Sequence, residues 1–277
     1  MALQSGSNEY VLGSDEAEHE RLIRQAAWLI THTERFLRRA GLGRGQRVLD
    51  LGSGVGDVTL IAAQLVGSTG EVVGAERDPR AIAKAVARMT ALGLHHVRFT
   101  QIDISALSLD EPFDAVIGRY ILFFLREPAA VLHDVWRLVR PGGIVAFQEP
   151  HWTSFLAACE GLPLWRASAE LMVETFRRTG ANVQIGADLA ATFQRAGLPE
   201  PEISTDTLIG AERWMPDVLH SIAPQIATVG LSLAPVGDLN TLYDRLVAEA
   251  AAHNASVPVP ALRGAWVRKP VPHEVPE

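Results

Sequence analysis

The residues best suited to chemistry stand directly after apolar runs. Residues 47–57 read RVLDLGSGVGD, in which Val48, Leu49 and Leu51 lead into glycines at alternate positions, Gly52, Gly54 and Gly56. Asp50 precedes them and Ser53 lies among them. Glycines at such a point let the backbone take restricted angles and let a ligand come close, because no Cβ stands in the way. The helix start that follows offers unpaired N–H groups to an anionic or polar ligand group. A dinucleotide fingerprint would need glycine at the sixth position of G-x-G-x-x-G, which Asp57 holds here. Glu76 comes about 20 residues after the glycines, where nucleotide-binding folds place an acid against ribose hydroxyls. A carboxylate suits that part because it accepts at two oxygens and a diol donates two protons. Arg77, next to it, is placed to stack on or flank an adenine. Farther on, FQEPH sets Glu149 and His151 two residues apart at the end of another apolar run. An imidazole with an unperturbed pKa near 6.5 suits general-base work at neutral pH. His151 is therefore the candidate to take or relay a substrate proton where the acceptor is a hydroxyl, with Glu149 beside it as a second catalytic candidate.

Those side chains need elements to hold them. A helix is expected over about Glu16–Ala40, capped by Ser14 or Asp15, with Leu22, Ala26, Leu29 and Phe36 on its apolar face. Strand, glycine turn and helix follow, the helix ending near Val66. Val72 and Val73 begin a second strand that ends at Glu76, and Asp78 caps a helix with Pro79 in its first turn. Val97 and Phe99 read as a third strand, with Ile102, Asp103 and Ile104 at its end. PFDAVIGRY reads as a fourth strand, with Arg119 and Tyr120 after it. A helix, a turn at R-P-G-G (140–143) and the strand IVAFQEP complete a βαβαβαβαβ order to about Pro150, where a turn is expected. That order implies an α/β fold with a doubly wound, mainly parallel sheet.

Beyond Pro150 the sequence predicts a helix near 186–196 and strands near 202–208 and 262–268. Two mostly helical insertions, about 151–184 and 211–260, interrupt this ending. The second puts about fifty residues between adjacent strands, more than a hairpin needs. Both leave the sheet near the end where open α/β sheets bind ligands, which makes them expected lids over a mainly apolar pocket. The chain thus divides into an N-terminal segment (1–40), a cofactor-binding core (41–150), a remainder with the insertions (151–268) and a proline-bearing tail (269–277).

D-L-G-S-G-V-G, with an acid at the end of the next strand, resembles the cofactor-binding motif of class I S-adenosylmethionine-dependent methyltransferases. F-D-A-V-I and L-V-R-P-G-G-I-V resemble the same class. Tyr10, a small loop and then ERLIRQA resemble the N-terminal cap of a bacterial small-molecule methyltransferase subgroup, in which it lies over the cofactor mouth. The resemblance carries specific motifs over roughly residues 10–150 and only an outline beyond. It implies a Rossmann-like seven-stranded sheet whose last strands form an antiparallel edge. It also implies S-adenosyl-L-methionine as cofactor and methyl transfer to a small, partly apolar molecule. In that class an acid at the position of Asp103 binds the adenine amino group, and the neighbour at Ile104 packs on the ring. Tyr10, Asp50, Gly52, Ser53, Gly54, Glu76, Arg77 and Arg119 complete the expected cofactor contacts. Many relatives carry a histidine a few residues past the fourth strand; Phe123-Phe124-Leu125 stands there instead.

A net charge of −7 and a pI near 5.7 disfavour a dedicated nucleic-acid partner. The single cysteine, Cys159, excludes an intramolecular disulfide, suits a reducing compartment and reads as a small apolar core residue. The start MALQSGSNEY has no basic segment leading into an apolar one, and no apolar run reaches membrane-spanning length. A cytoplasmic location, a small-molecule substrate, no membrane partner and no metal are expected, and a homodimer is compatible. Three rival readings are an NAD-dependent dehydrogenase, which Asp57 disfavours, an RNA or protein methyltransferase, and a pericyclase-like or regulatory protein that binds the cofactor without transferring methyl.

Overall fold

A computed structural model of the chain describes residues 16–104, 107, 109, 112–208, 213–256 and 259–271, the side chains of 16–20 and 22–27 excepted. Four of the five residues of β1 (Arg47–Leu51) are buried, as a strand covered on both faces requires. Around it lie β2 (Glu71–Glu76), β3 (Val97–Gln101), β4 (Phe113–Arg119), β5 (Val139–His151), β6 (Glu202–Asp206) and β7 (Ala261–Arg268). They form one seven-stranded sheet in the order β3-β2-β1-β4-β5-β7-β6. The pairs among β1–β5 are parallel, whereas β7 is antiparallel to both β5 and β6. The last strands thus form the expected antiparallel edge: β7 is the reversed strand, next to the outermost, and β6, at the edge, runs in the same direction as β1–β5.

Two local expectations change. The R-P-G-G stretch is not a free turn but part of β5, where the register with β4 shifts between Phe113 and Ala115. Gly142 N donates to Lys269 O and Lys269 N to Gly143 O, both at 2.8 Å, so the chain leaving β7 supplies the hydrogen bonds that a turn would otherwise lack. Nor does Pro150 break the strand, since β5 continues to His151, which pairs with Ala261. β4 ends opposite Gln148, so beyond that point β5 has a free edge on one side and tolerates a residue without an N–H.

α1 (Glu16–Ala40) and α2 (Asp57–Val66) cover one face. Phe36, Leu37, Ile61 and Leu65 there meet Val48, Ile117 and Ala146. α3 (Pro79–Ala91) joins β2 to β3. α4 (Pro128–Leu138) and α7 (Leu189–Arg195) cover the other face. α1 climbs toward the carboxyl ends of the strands. Phe36 packs edge-on to Trp266, and Thr33 accepts from Arg119 at the tip of β4. The part of α1 before Thr33, roughly 25 Å long at 1.5 Å per residue, therefore continues beyond this contact with the tip of β4.

The insertions rise from that same edge. The first holds α5 (Trp152–Ala158) and α6 (Pro163–Arg178); the second holds α8 (Trp214–Ser221), α9 (Ala223–Thr228) and α10 (Leu242–Ala252). They form one body. Glu249 of α10 accepts from Leu164 N and Trp165 N at the start of α6, and Trp165 Nε1 donates to Leu246 O. Trp152, Phe155, Phe176 and Trp214 stack across them with ring centroids 5.6–6.2 Å apart. Cys159 is buried in the same cluster. No helix among the described residues is long and apolar enough to cross a membrane.

Candidate functional site

The glycine turn is held from below. Gly52 N and Ser53 N both donate to Ala75 O, at 2.9 and 3.1 Å, and Gly56, at φ 87°, starts α2. A Cβ at Gly52 would come within 2.5 Å of Ile121 Cδ1, so that glycine is a packing requirement. A Cβ at Gly54 would meet nothing within 4 Å: its φ of 52° faces open space. Glu76, half-buried at the end of β2, stands across this opening. Its Oε2 accepts from Gly54 N at 2.9 Å, and its Oε1 accepts from Arg77 N at 2.8 Å and Asp78 N at 3.0 Å. A carboxylate has about four acceptor positions, so one is left for a ligand donor.

Asp50 lies beneath the turn, buried, with Thr59 Oγ1 donating to its Oδ2 at 2.6 Å. Burial pushes its pKa up to about 7, partly offset by the Thr59 hydrogen bond and the charge of Arg119. Ile102 N donates to Glu76 O, which brings the segment after β3 against the end of β2. Asp103 is exposed there and Ile104 is buried in the core. Arg77 is exposed beside them. Asp50, Gly52, Ser53, Gly54, Glu76, Arg77, Asp103, Ile104 and Arg119 therefore gather at one end of the sheet. Tyr10 lies outside the described residues.

Glu149 and His151 face the other way. Glu149 shares the sheet face of Phe147, whereas Asp50 and Arg119 share that of Ile117, so the two groups meet only at the carboxyl edge. Glu149 is wholly buried. Its Oε1 accepts from Ile121 N and Leu122 N, at 3.1 and 2.8 Å, and its Oε2 from Phe123 N at 3.3 Å. Burial outweighs these three hydrogen bonds and raises its pKa to about 8. The turn so held carries Ile121, the side chain packed on Gly52, and thereby ties the end of β5 to the glycine turn. His151, half-buried, is linked through Nδ1 to Ser154, and its pKa is lowered by burial and then by the charge of Arg263.

Tyr120 was not singled out from the sequence. It sits at φ 58°, a left-handed conformation that costs a side-chain-bearing residue energy and clusters at functional sites. Its N–H donates to Gln148 O, and burial pushes its phenol up to about 12. No local signal predicts that conformation, which goes with a hydrogen bond to β5, far away in sequence. A groove of about 460 Å³ lined by Thr31, Glu34, Arg35, Arg38 and Arg39 lies on the outer side of α1, apart from these residues. Among the described residues no cluster of three or more His, Cys, Asp or Glu is arranged to hold a metal.

A methyltransferase-domain family profile matches residues 42–197, more than half of the chain. The arsenite methyltransferase of Halobacterium salinarum is 36% identical over 111 residues, 40% of this chain and 28% of that protein. The ubiquinone/menaquinone biosynthesis C-methyltransferase UbiE of Erwinia tasmaniensis is 33% identical over 118 residues, 41% of this chain and 47% of that one. The chain spans less than half the length of these curated relatives. Among solved structures, the [4+2]-cyclase SpnF superposes with a TM-score of 0.52 at 22% identity, over 88% of this chain and 82% of that one, which is a likeness of fold.

Proposed function

The chain belongs to the class I S-adenosylmethionine-dependent methyltransferases, and from that premise we propose that it transfers a methyl group from S-adenosyl-L-methionine to a small, partly apolar molecule in the cytoplasm. The observation that carries this reading is the opening over Gly54 with the Glu76 carboxylate across it. The residues fit the cofactor. Gly54 leaves room for backbone approach, Glu76 keeps an acceptor position for the ribose diol, and Asp103 and Ile104 lie beside it for the adenine. In this reading Asp50, Gly52, Ser53, Arg77, Arg119 and Tyr10 complete the cofactor contacts. When bound, the cofactor supplies a methyl group already activated by its sulfonium. The chain's part is to hold a nucleophile in line with it and to exclude water.

α1 and the body formed by α5, α6 and α8–α10 act as the cover, and their aromatic side chains suit a partly apolar guest. Glu149 holds the Tyr120–Phe123 turn in place, and His151 meets the acceptor molecule at the tip of β5.

Calorimetry tests the first half: S-adenosylhomocysteine should bind the purified chain and NAD should not. Mass spectrometry of a host metabolite extract incubated with isotope-labelled cofactor tests the second. Binding with no labelled product from any extract would favour a non-transferring protein of this fold; no binding would end the reading.

A further inference from the structure

Gly52, Gly54 and Gly56 all sit at positive φ, 65°, 52° and 87°. Glycine loses more conformational freedom on ordering than any other residue, so a turn with three of them must be held from outside. On the strand side Ala75 O accepts from Gly52 N and Ser53 N, and Glu76 accepts from Gly54 N. The other support comes from α3. A Cβ at Gly56 would come within 3.2–3.3 Å of Ala85 and Met89 on α3 and of Phe99, so that helix packs directly on the turn. Arg88, beside Met89, spans the turn with the two arms of its guanidinium. Nη1 donates to Val55 O, and Nη2 donates to Asp57 Oδ1 at 2.8 Å. The two side chains are only 23% and 14% exposed, which shields the pair from the screening that weakens surface ion pairs.

These ties leave one peptide of the turn open. Gly56 N donates to Ser53 O, so the Val55–Gly56 peptide is held at both ends, by Ser53 and by Arg88. Among the described residues, Gly54 O and Val55 N–H have no hydrogen-bond partner, and they lie at the opening over Gly54. Resting on the methyl-transfer reading above, we propose that Arg88 is a positioning residue of the cofactor site. Its fork fixes the Val55–Gly56 peptide and thereby presents the open Gly54–Val55 peptide to S-adenosyl-L-methionine. Asp57, standing where a dinucleotide fingerprint has glycine, anchors the second arm of the fork. A lysine at 88 keeps the charge but has one nitrogen, which cannot reproduce the two-armed geometry.

Calorimetry with S-adenosylhomocysteine and hydrogen exchange on the full chain test this. Arg88→Ala loses the pre-ordered turn and should weaken binding roughly tenfold. Arg88→Lys should fall between it and wild type, and replaces it should the alanine variant fail to fold. In the free chain the Gly56 N–H, whose partner is Ser53 O, should exchange faster in both variants, and bound S-adenosylhomocysteine should narrow the difference. Val135→Ala, in α4 on the far face of the sheet, is the control for general destabilisation: it should lower the melting temperature and leave affinity unchanged. In labelled-product assays on metabolite extract, Arg88→Ala should need more cofactor yet approach the wild-type rate at saturation. Unchanged affinity in folded Arg88→Ala, full recovery by lysine, or an equal loss in Val135→Ala would each overturn the proposal. Failure of wild-type protein to bind S-adenosylhomocysteine would instead sink the methyl-transfer reading, and the proposal with it.

Discussion

Replacing Glu76 by alanine removes the group that spans the glycine turn and the proposed ribose site. In the free chain its carboxylate accepts from Gly54, Arg77 and Asp78 N–H groups at 2.8–3.0 Å. Because Glu76 is only half-buried, water can replace much of this, and the stability loss should be about 1–2 kcal/mol, near the net value of one or two hydrogen bonds. In the complex, hydrogen bonds from a diol to a charged acceptor are worth about 1.5–3 kcal/mol, so affinity for S-adenosylhomocysteine should fall roughly 10- to 150-fold. Glu76→Gln keeps one acceptor oxygen and should fall between. Calorimetry with a 2′-deoxy analogue separates a lost diol contact from a loosened turn: wild-type protein should discriminate against it, and Glu76→Ala should not. Unchanged affinity in a folded Glu76→Ala protein, or equal discrimination by both proteins, would remove Glu76 from the site.

The two glycines of the turn should respond differently to alanine. Gly52→Ala puts a Cβ against Ile121 at positive φ and should cost about 2–5 kcal/mol in denaturant unfolding. Gly54→Ala meets open space and should cost only about 1–2 kcal/mol of backbone strain while weakening S-adenosylhomocysteine roughly tenfold or more; equal destabilisation of both would refute the packing argument. Asp50 has a folded pKa raised by burial to about 7 from an ordinary 3.8, so its contribution to stability is full below the ordinary value and is lost as pH rises through about 7. Asp50→Asn should therefore gain in melting temperature relative to wild type between pH 4 and pH 8, and a constant difference would count against a raised pKa. Glu249→Ala strips the start of α6 of its acceptor and should cost about 1–2 kcal/mol, with faster hydrogen exchange across residues 163–178. Unchanged exchange there would mean that the two insertions are not joined through Glu249.

Where one element's own periodicity or chemistry decides, the sequence was sufficient. The amphipathic run that became α1, the apolar run and glycines that became β1 and its turn, and Glu76 at the end of β2 were all legible locally. So was the parallel part of the sheet, because alternating strands and helices leave few other ways to bury both faces. Contacts between distant segments decided the rest. R-P-G-G and E-P-H read as turns by local preference. Yet one is absorbed into β5 through hydrogen bonds with Lys269, and the other stays extended because β7 pairs with it. The reversal of β7 inside the sheet, the strained Tyr120, the burial of Glu149 against three N–H groups and the Glu249 cap all join residues far apart in sequence. Local propensities are worth about 1 kcal/mol or less per residue. A strand partner or a buried acceptor offers several hydrogen bonds at once, so tertiary structure overrides the local signal wherever the two compete.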